Sequence, residues 1–356
     1  MNRIIVVRKS AFVKTLDRIL LLSDMADVRE NIRLLRKRIL ASSHPGSLAR
    51  STDYIVTSRK YIAGELEQIQ RSQTVERAVY YVSRLRKAFT TEKKGTVNDI
   101  NLRRWKEYSK IWTDSLWMIP RRDGSAGHSG WYWGNFVPQI PHQLMLRYTR
   151  KGEWVLDPFV GSGTTLLECI RLGRNGIGFD LNETVAKKTK SVLKKTRKTE
   201  QEVKIEVEIA DSTRADFRKP LKSHGAQSVQ LVILHPPYHD IIRFSQKRGD
   251  LSNAASTGRF LHLLGKVVDN SLKVLDNGRF LALVIGDKYS KREWVPLGFL
   301  AMHEVLKRKC RLKSIVVKNF DQTTGKRKQG ALWRYRALAG GFYIFKHEYV
   351  FIFQKS

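Results

Sequence analysis

Hydrophobic residues recur at helical spacing through the first hundred positions. Phe12, Leu16, Ile19 and Leu20 share one face, as do Val28, Ile32, Leu35 and Ile39 in the next segment. Tyr61, Ile62, Leu66 and Ile69 outline a third helix, and Val75, Val79, Val82, Leu85 and Phe89 a fourth. The opposite faces are thick with Arg and Lys. His44, Pro45, Gly46 and Ser47 break the second helix from the third, and Lys93, Lys94 and Gly95 close the region. The pattern predicts a basic helical domain over residues 1–110 with no catalytic constellation of its own. A solvated surface and a nucleic-acid-facing one fit its charge equally well.

After about Ile111 the texture becomes strand, Gly-rich turn, helix, strand, which predicts a doubly wound α/β sheet over residues 111–356. Short β-rich runs fall at 153–157, 175–180, 205–211, 229–235, 278–287, 312–319 and 348–354, with helical segments between most of them. The Lys-rich run starting at Lys187 reads as an exposed helix after the second strand, and no internal repeat is present.

Composition sharpens the picture. The 356 residues, 42% hydrophobic and 10% aromatic, suffice for one large α/β domain plus an extension. The 66 Lys+Arg against 33 Asp+Glu leave a net charge of +33, whose self-repulsion is usually tolerated for a polyanionic partner, either nucleic acid or an anionic membrane surface. No stretch approaches the roughly 20 apolar residues that span a bilayer, and the apolar run at the N-terminus is too short for a secretory signal. A cytoplasmic protein is expected, and the motifs that follow make a membrane the poor choice of partner. Cys169 and Cys310 stand far apart with no ligand spacing around them, so two reduced thiols and no metal site are expected.

The strongest chemical signal is Val155 to Glu168, VLDPFVGSGTTLLE. A hydrophobic strand runs into Asp157, Pro158 and Phe159, Gly161 and Gly163 make a tight turn, and Thr164 opens a helix. Glycines suit such a turn because a ligand must approach the backbone closer than a Cβ permits. The second strand ends in Asp180, where a carboxylate can accept hydrogen bonds from both hydroxyls of a ribose. The third glycine of a dinucleotide fingerprint and the lysine of a phosphate loop are both missing, which favours an adenosine ligand without phosphates. Asp211 ends the next strand and is a candidate for the adenine amino group, with a plain loop aspartate as the alternative.

A second motif runs from Leu231 to Ile241, LVILHPPYHDI. A buried strand delivers His235, Pro236, Pro237 and Tyr238 at its carboxyl end, where doubly wound sheets place their ligands. Two consecutive prolines cannot belong to a central strand, so they mark a rigid loop that fixes a carbonyl and an aromatic ring.

Together these motifs resemble those of the S-adenosylmethionine-dependent DNA amino-methyltransferases, which methylate the exocyclic amine of adenine (N6) or cytosine (N4). Asn135 to Gly152 resembles the segment before the Gly-rich loop in that family, Gly278 to Pro296 the strand and loop after the Pro-Pro-Tyr motif, and His347 to Phe353 the closing strand. The resemblance covers the chain from about residue 111 onward. It implies a Rossmann-like class I methyltransferase fold carrying an N-terminal basic helical extension, and S-adenosylmethionine as cofactor. Asp157, Phe159, Gly161, Gly163 and Thr164 would form the cofactor loop, Asp180 would hold the ribose and Asp211 would lie near the adenine. His235 and the Pro236 carbonyl would accept hydrogen bonds from the target amine, with Pro237 holding the loop. Tyr238 would stack on the base, which must leave the helix to be reached. No metal is required, because the sulfonium is already activated.

The residue before Pro-Pro-Tyr is usually Asp or Asn in the adenine enzymes and Ser in many cytosine enzymes, whereas here it is His235. Neutral imidazole has an acceptor nitrogen and imidazolium has none. Activity is therefore expected to fall as pH drops through the His235 pKa, and a rate flat from about pH 8 to about pH 5.5 contradicts that expectation. The substitution also leaves adenine and cytosine both open.

No large recognition domain follows the closing strand, so sequence recognition is expected from the N-terminal helices or from residues 319–341. The latter mix Lys326, Arg327, Lys328, Arg334 and Arg336 with Trp333 and Tyr335, a combination suited to phosphate and base contact. A surface loop with a buried Trp is the plain alternative. Trp131, Tyr132 and Trp133, beside His128, fit either a pocket wall or simple core contacts. The leading expectation is a methyltransferase of double-stranded DNA, solitary or paired with a separately encoded restriction endonuclease. An RNA base methyltransferase on the same scaffold and a catalytically silent nucleic-acid-binding protein are the competing readings, and the oligomeric state stays open.

Overall fold

The computed structural model describes residues 4–41, 53–125, 127–128, 131–196, 202–290, 292–320 and 330–356. They form two compact units, Met1–Ile111 and Trp112–Ser356.

The first unit comprises β1 (Ile4–Arg8), α1 (Lys9–Ile19), α2 (Met25–Ala41), β2 (Tyr54–Ser58), α3 (Arg59–Gln70) and α4 (Val75–Thr90). The apolar stripes read from the sequence meet in one core containing Phe12, Leu16, Ile32, Ile62, Leu66 and Val82. Side-chain caps set two helix starts: Ser58 accepts from the Tyr61 N–H and Thr74 from the Arg77 N–H. The helices match the periodicity, but the unit is not helical throughout. β1 and β2 pair antiparallel with Val6 opposite Val56, a ribbon of two five-residue strands far apart in sequence with no hairpin turn to announce it. The helix break expected at 44–47 lies outside the described residues.

The second unit contains β3 (Leu116–Trp117), α5 (Gln139–Tyr148), β4 (Trp154–Asp157), α6 (Thr164–Leu172), β5 (Asn175–Asp180), α7 (Glu183–Thr196), β6 (Ile205–Ile209) and α8 (Arg218–Ser223). It continues with β7 (Val229–Leu234), α9 (Thr257–Leu272), β8 (Leu275–Ile285), β9 (Lys288–Ser290), β10 (Glu293–Val295), α10 (Leu297–Leu306), β11 (Cys310–Asn319), α11 (Gly330–Gly340) and β12 (His347–Lys355). Eight strands form one sheet in the order β3-β11-β12-β8-β7-β4-β5-β6. β6, β5, β4, β7 and β8 run parallel, and β12 is antiparallel to both its neighbours, β8 and β11. This is a Rossmann-like α/β sheet, as the sequence predicts.

The chain winds outward from β4 through β5 to β6, then returns to the other side of β4 with β7. Ligands of doubly wound sheets bind where the order reverses, outside the carboxyl ends of the strands. β4 and β7 are buried along almost their whole length, as expected of central parallel strands. Cys169 and Cys310 are free and buried. No helix among the described residues is long and apolar enough to cross a membrane.

Candidate active site

A cavity of about 920 Å³ opens at the reversal point. Its walls include Phe159 and Gly161 after β4, Asp180 at the end of β5, Asp211 after β6, and His235 to Tyr238 after β7. The two sequence motifs therefore meet in one cavity.

The loop after β4 needs its glycines. Gly161 has φ +48°, and a Cβ there would lie 2.9 Å from the Tyr132 ring. Gly163, at φ +82°, caps α6, and its Cβ would lie 2.8 Å from Thr189 Cγ2. Asp157, Gly163 and Thr164 are buried behind the loop rather than on the cavity wall. Asp157 Oδ1 accepts from the Phe159 N–H at 3.0 Å, and Thr164 Oγ1 donates to Asn135 Oδ1 at 2.9 Å. These residues build the loop, while Phe159 and Gly161 present it. Burial pushes the Asp157 carboxyl up to about 6.

Asp180 accepts from the Gly161 N–H at 3.1 Å and the Asn182 N–H at 2.7 Å. Burial nevertheless pushes its pKa up to about 6, so these bonds fall short of replacing its hydration. A further pair of hydroxyl donors, as on a ribose, suits it. Asp211 Oδ1 takes the N–H and hydroxyl of Thr213 at 2.9 and 2.7 Å, and Asp211 Oδ2 sits where a Cβ on Gly249 would come within 2.3 Å. Tyr132 stacks on Phe244 with centroids 5.7 Å apart, giving the cavity an aromatic wall. Two carboxylates, aromatic walls and a glycine loop without phosphate-binding cations fit a nucleoside with a small side chain, which is the character of S-adenosylmethionine.

Of the aromatic triplet, Tyr132 and Trp133 line the cavity, while Trp131 lies under the Lys188 ammonium at 4.1 Å. His128 belongs elsewhere. Its Nε2 lies 2.7 Å from Glu168 Oε1, and His142 Nδ1 lies 2.7 Å from Glu168 Oε2. Burial alone would raise the Glu168 pKa, but the two histidines and Arg171 overcome it and hold the group at about 2. Among the described residues no cluster of His, Cys, Asp and Glu is arranged to hold a metal ion.

At the β7 end His235 packs against Phe136, centroids 4.6 Å apart, and lines the cavity. Burial lowers its pKa to about 4, with Glu348 raising it and Lys318 lowering it. The imidazole is thus neutral well below pH 6, and the acid loss of activity expected for an ordinary histidine moves to much lower pH. The Tyr238 hydroxyl donates to Glu348 Oε2 at 2.7 Å, and Glu348 Oε1 pairs with Lys318 Nζ at 3.1 Å. Tyr238 also lies close over the Gly286 backbone, where a Cβ would come within 3.1 Å of its ring. The following residue, His239, has φ +54°. It is held there by a 2.8 Å bond from Nε2 to the Ala254 carbonyl and a 2.6 Å bond from Lys288 Nζ to Nδ1, while Lys288 also pairs with Asp240 at 2.7 Å.

Sequence reasoning singled out neither Glu348, Lys318, Lys288 nor Phe244. The only signal for Glu348 was its place in the closing strand. Arg334 and Arg336 are exposed on α11, with the Arg336 guanidinium 5.4 Å from the centre of the Trp333 ring, and Trp333 lines the cavity. Lys326, Arg327 and Lys328 lie outside the described residues.

A family model described as DNA methylase matches residues 35–191, taking in the Gly-rich loop and Asp180 but stopping short of His235 to Tyr238. The type II methyltransferase M.MjaII of Methanocaldococcus jannaschii is 43% identical over 51 residues, 14% of this chain and 10% of that protein. M.MthZI of Methanothermobacter thermautotrophicus is 28% identical over 125 residues, 32% of this chain and 33% of that protein. The chain thus spans a third or less of the length of these curated relatives. Among solved structures, TrmN from Thermus thermophilus is 20% identical with a TM-score of 0.38, covering 62% of this chain and 49% of that one. Residues 35–191 are thus similar to the DNA methylases, the curated relatives found are type II methyltransferases, and the cavity suits S-adenosylmethionine.

Proposed function

We propose that this protein methylates the exocyclic amine of an adenine (N6) or a cytosine (N4) in double-stranded DNA. The observation that carries the reading is the meeting, in one cavity, of Asp180 and Asp211 with His235, Pro236, Pro237 and Tyr238. Bound S-adenosylmethionine supplies a methyl group already activated on a sulfonium. Everything else is asked of this chain: Asp180 holds the ribose, Asp211 meets the adenine edge, and Phe159 and Gly161 cover the nucleoside. His235 and the Pro236 carbonyl accept from the target amine and so turn its lone pair toward the methyl, while Tyr238 stacks on the extruded base.

The basic unit of residues 1–111 and the Arg334 and Arg336 face supply phosphate contacts. The type II names of the relatives support a place in a restriction-modification pair with a separately encoded endonuclease. The full chain, incubated with tritiated S-adenosylmethionine and duplex DNA, tRNA or rRNA, should label duplex DNA. Nucleoside mass spectrometry of that DNA then separates N6-methyladenine from N4-methylcytosine. Labelling of RNA alone overturns the reading, as does cofactor binding without transfer to any of the three.

A further inference from the structure

Histidine raises a problem at position 235 that Asp, Asn or Ser would not. A neutral imidazole carries its proton on one nitrogen or the other, and only the bare nitrogen can accept from an amine. Something must choose. Three neighbouring groups do so, contributed by β11, β12 and the loop after β7.

Lys318 and Glu348 are direct register partners on β11 and β12, both nearly buried. Their pairing holds the Glu348 carboxylate turned toward Tyr238, whose hydroxyl proton goes to Oε2 at 2.7 Å. A hydroxyl has a single proton, so Tyr238 Oη has only lone pairs left for its other neighbour. That neighbour is His235 Nε2, at a long 3.4 Å. With the proton on Nδ1, two lone pairs would face each other there; with it on Nε2, the contact is attractive. Returning the tyrosine proton to the imidazole would leave a buried carboxylate facing a lone pair. The other ring nitrogen, Nδ1, makes no hydrogen bond among the described residues, and the ring lines the cavity.

We propose that Lys318 and Glu348 act through the Tyr238 hydroxyl to hold His235 as the Nε2–H tautomer, leaving Nδ1 as the acceptor for the target amine. Glu348 is then a positioning residue, and Tyr238 has a second task beside stacking. The low pKa of His235 agrees with a ring that stays neutral while it accepts. This inference rests on the methyl-transfer reading.

The test has two arms. In the full chain labelled with 15N-histidine, His235, assigned among the nine histidines by its loss in His235→Asn, should show a protonated Nε2 and a bare Nδ1. Glu348→Gln and Tyr238→Phe should each shift it toward a mixture of tautomers. In steady-state kinetics both variants should lower kcat by about tenfold with the cofactor KM little changed. Neither loss should multiply with that of His235→Asn, because an amide at 235 has no tautomer to set. A protonated Nδ1 in the wild type overturns the proposal, as does a tautomer unchanged in both variants or losses that multiply in full. The NMR arm reads the tautomer without turnover, so a protein that methylates nothing defeats the functional reading and is told apart from failure of this one.

Discussion

The main-chain N–H of Gly161 donates to Asp180 Oδ2 at 3.1 Å, so one carboxylate both ties the Gly-rich loop to β5 and faces the cavity. On the proposed function, loop shape and ligand capture are thereby coupled. Asp180→Ala should weaken binding of S-adenosylmethionine or its demethylated product by roughly 30-fold, about 2 kcal/mol, the usual loss for hydrogen bonds to a charged group. Titration calorimetry on the full chain checks this, and an affinity within threefold of wild type would remove Asp180 from the site.

The two raised or lowered groups at the cavity predict a split pH profile. Asp180 titrates near 6 and accepts best when ionised, so the cofactor KM should rise as pH falls below about 6. Burial keeps His235 neutral to about 4, with Glu348 raising its pKa and Lys318 lowering it, so kcat should stay flat to about pH 5.5. Initial rates at saturating and limiting cofactor separate the two. A kcat that halves near pH 6.5 would mean that His235 is an ordinary, solvated histidine.

Glu168 links α6 to His142 on α5 and to His128, directly behind the Gly-rich loop. Its pKa of about 2 in the folded chain lies below the ordinary 4.5. The stability it contributes is therefore fully present above about pH 4.5 and lost as pH falls from there toward 2. Glu168→Gln should cost roughly 3 kcal/mol at neutral pH, because it removes the buried carboxylate that His128, His142 and Arg171 share. Urea denaturation at pH 7 and pH 3 checks it, and the gap between wild type and variant should narrow at the lower pH.

Gly286 lies beneath the Tyr238 ring, and a methyl there would come within 3.1 Å of it. Gly286→Ala should displace the ring by a few tenths of an ångström, lowering kcat about tenfold while binding of the cofactor is nearly kept. Equal losses in both would indicate a wider disturbance of β8.

Binding to duplex DNA should depend steeply on salt, with log affinity falling by about 0.9 per phosphate contact. Arg334→Ala and Arg336→Ala should each lower that slope by about one unit in fluorescence anisotropy titrations. An unchanged slope in both would move the phosphate contacts off α11.

The central strands and both motif loops were legible in the sequence because buried parallel strands are short apolar runs closed by Gly, Asp or Pro. The cavity-lining Phe159, Gly161, Asp180 and Asp211 followed from the same punctuation. Other features were hidden for physical reasons. β1 and β2 pair across about fifty intervening positions with no turn signal. His239 adopts a left-handed backbone that no residue type announces, and its clamp, Lys288, comes from a different strand. Asp157, Gly163 and Thr164 share one motif with Phe159 and Gly161, and motif positions do not distinguish residues that line a loop from those that build it. Glu348 looked like one polar position at the start of an apolar strand, since its partner Tyr238 is 110 positions away.

That separation also sets an order of events during synthesis. When Tyr238 leaves the ribosome, 110 residues remain before Glu348 follows, roughly 5 to 20 s at ordinary elongation rates. β12 must then enter the sheet between β8 and β11, which are both made earlier. On the proposed function, every residue of the nucleoside cradle is synthesised well before the far wall exists, so a growing polypeptide would carry its methyl-donor residues long before its base site is complete.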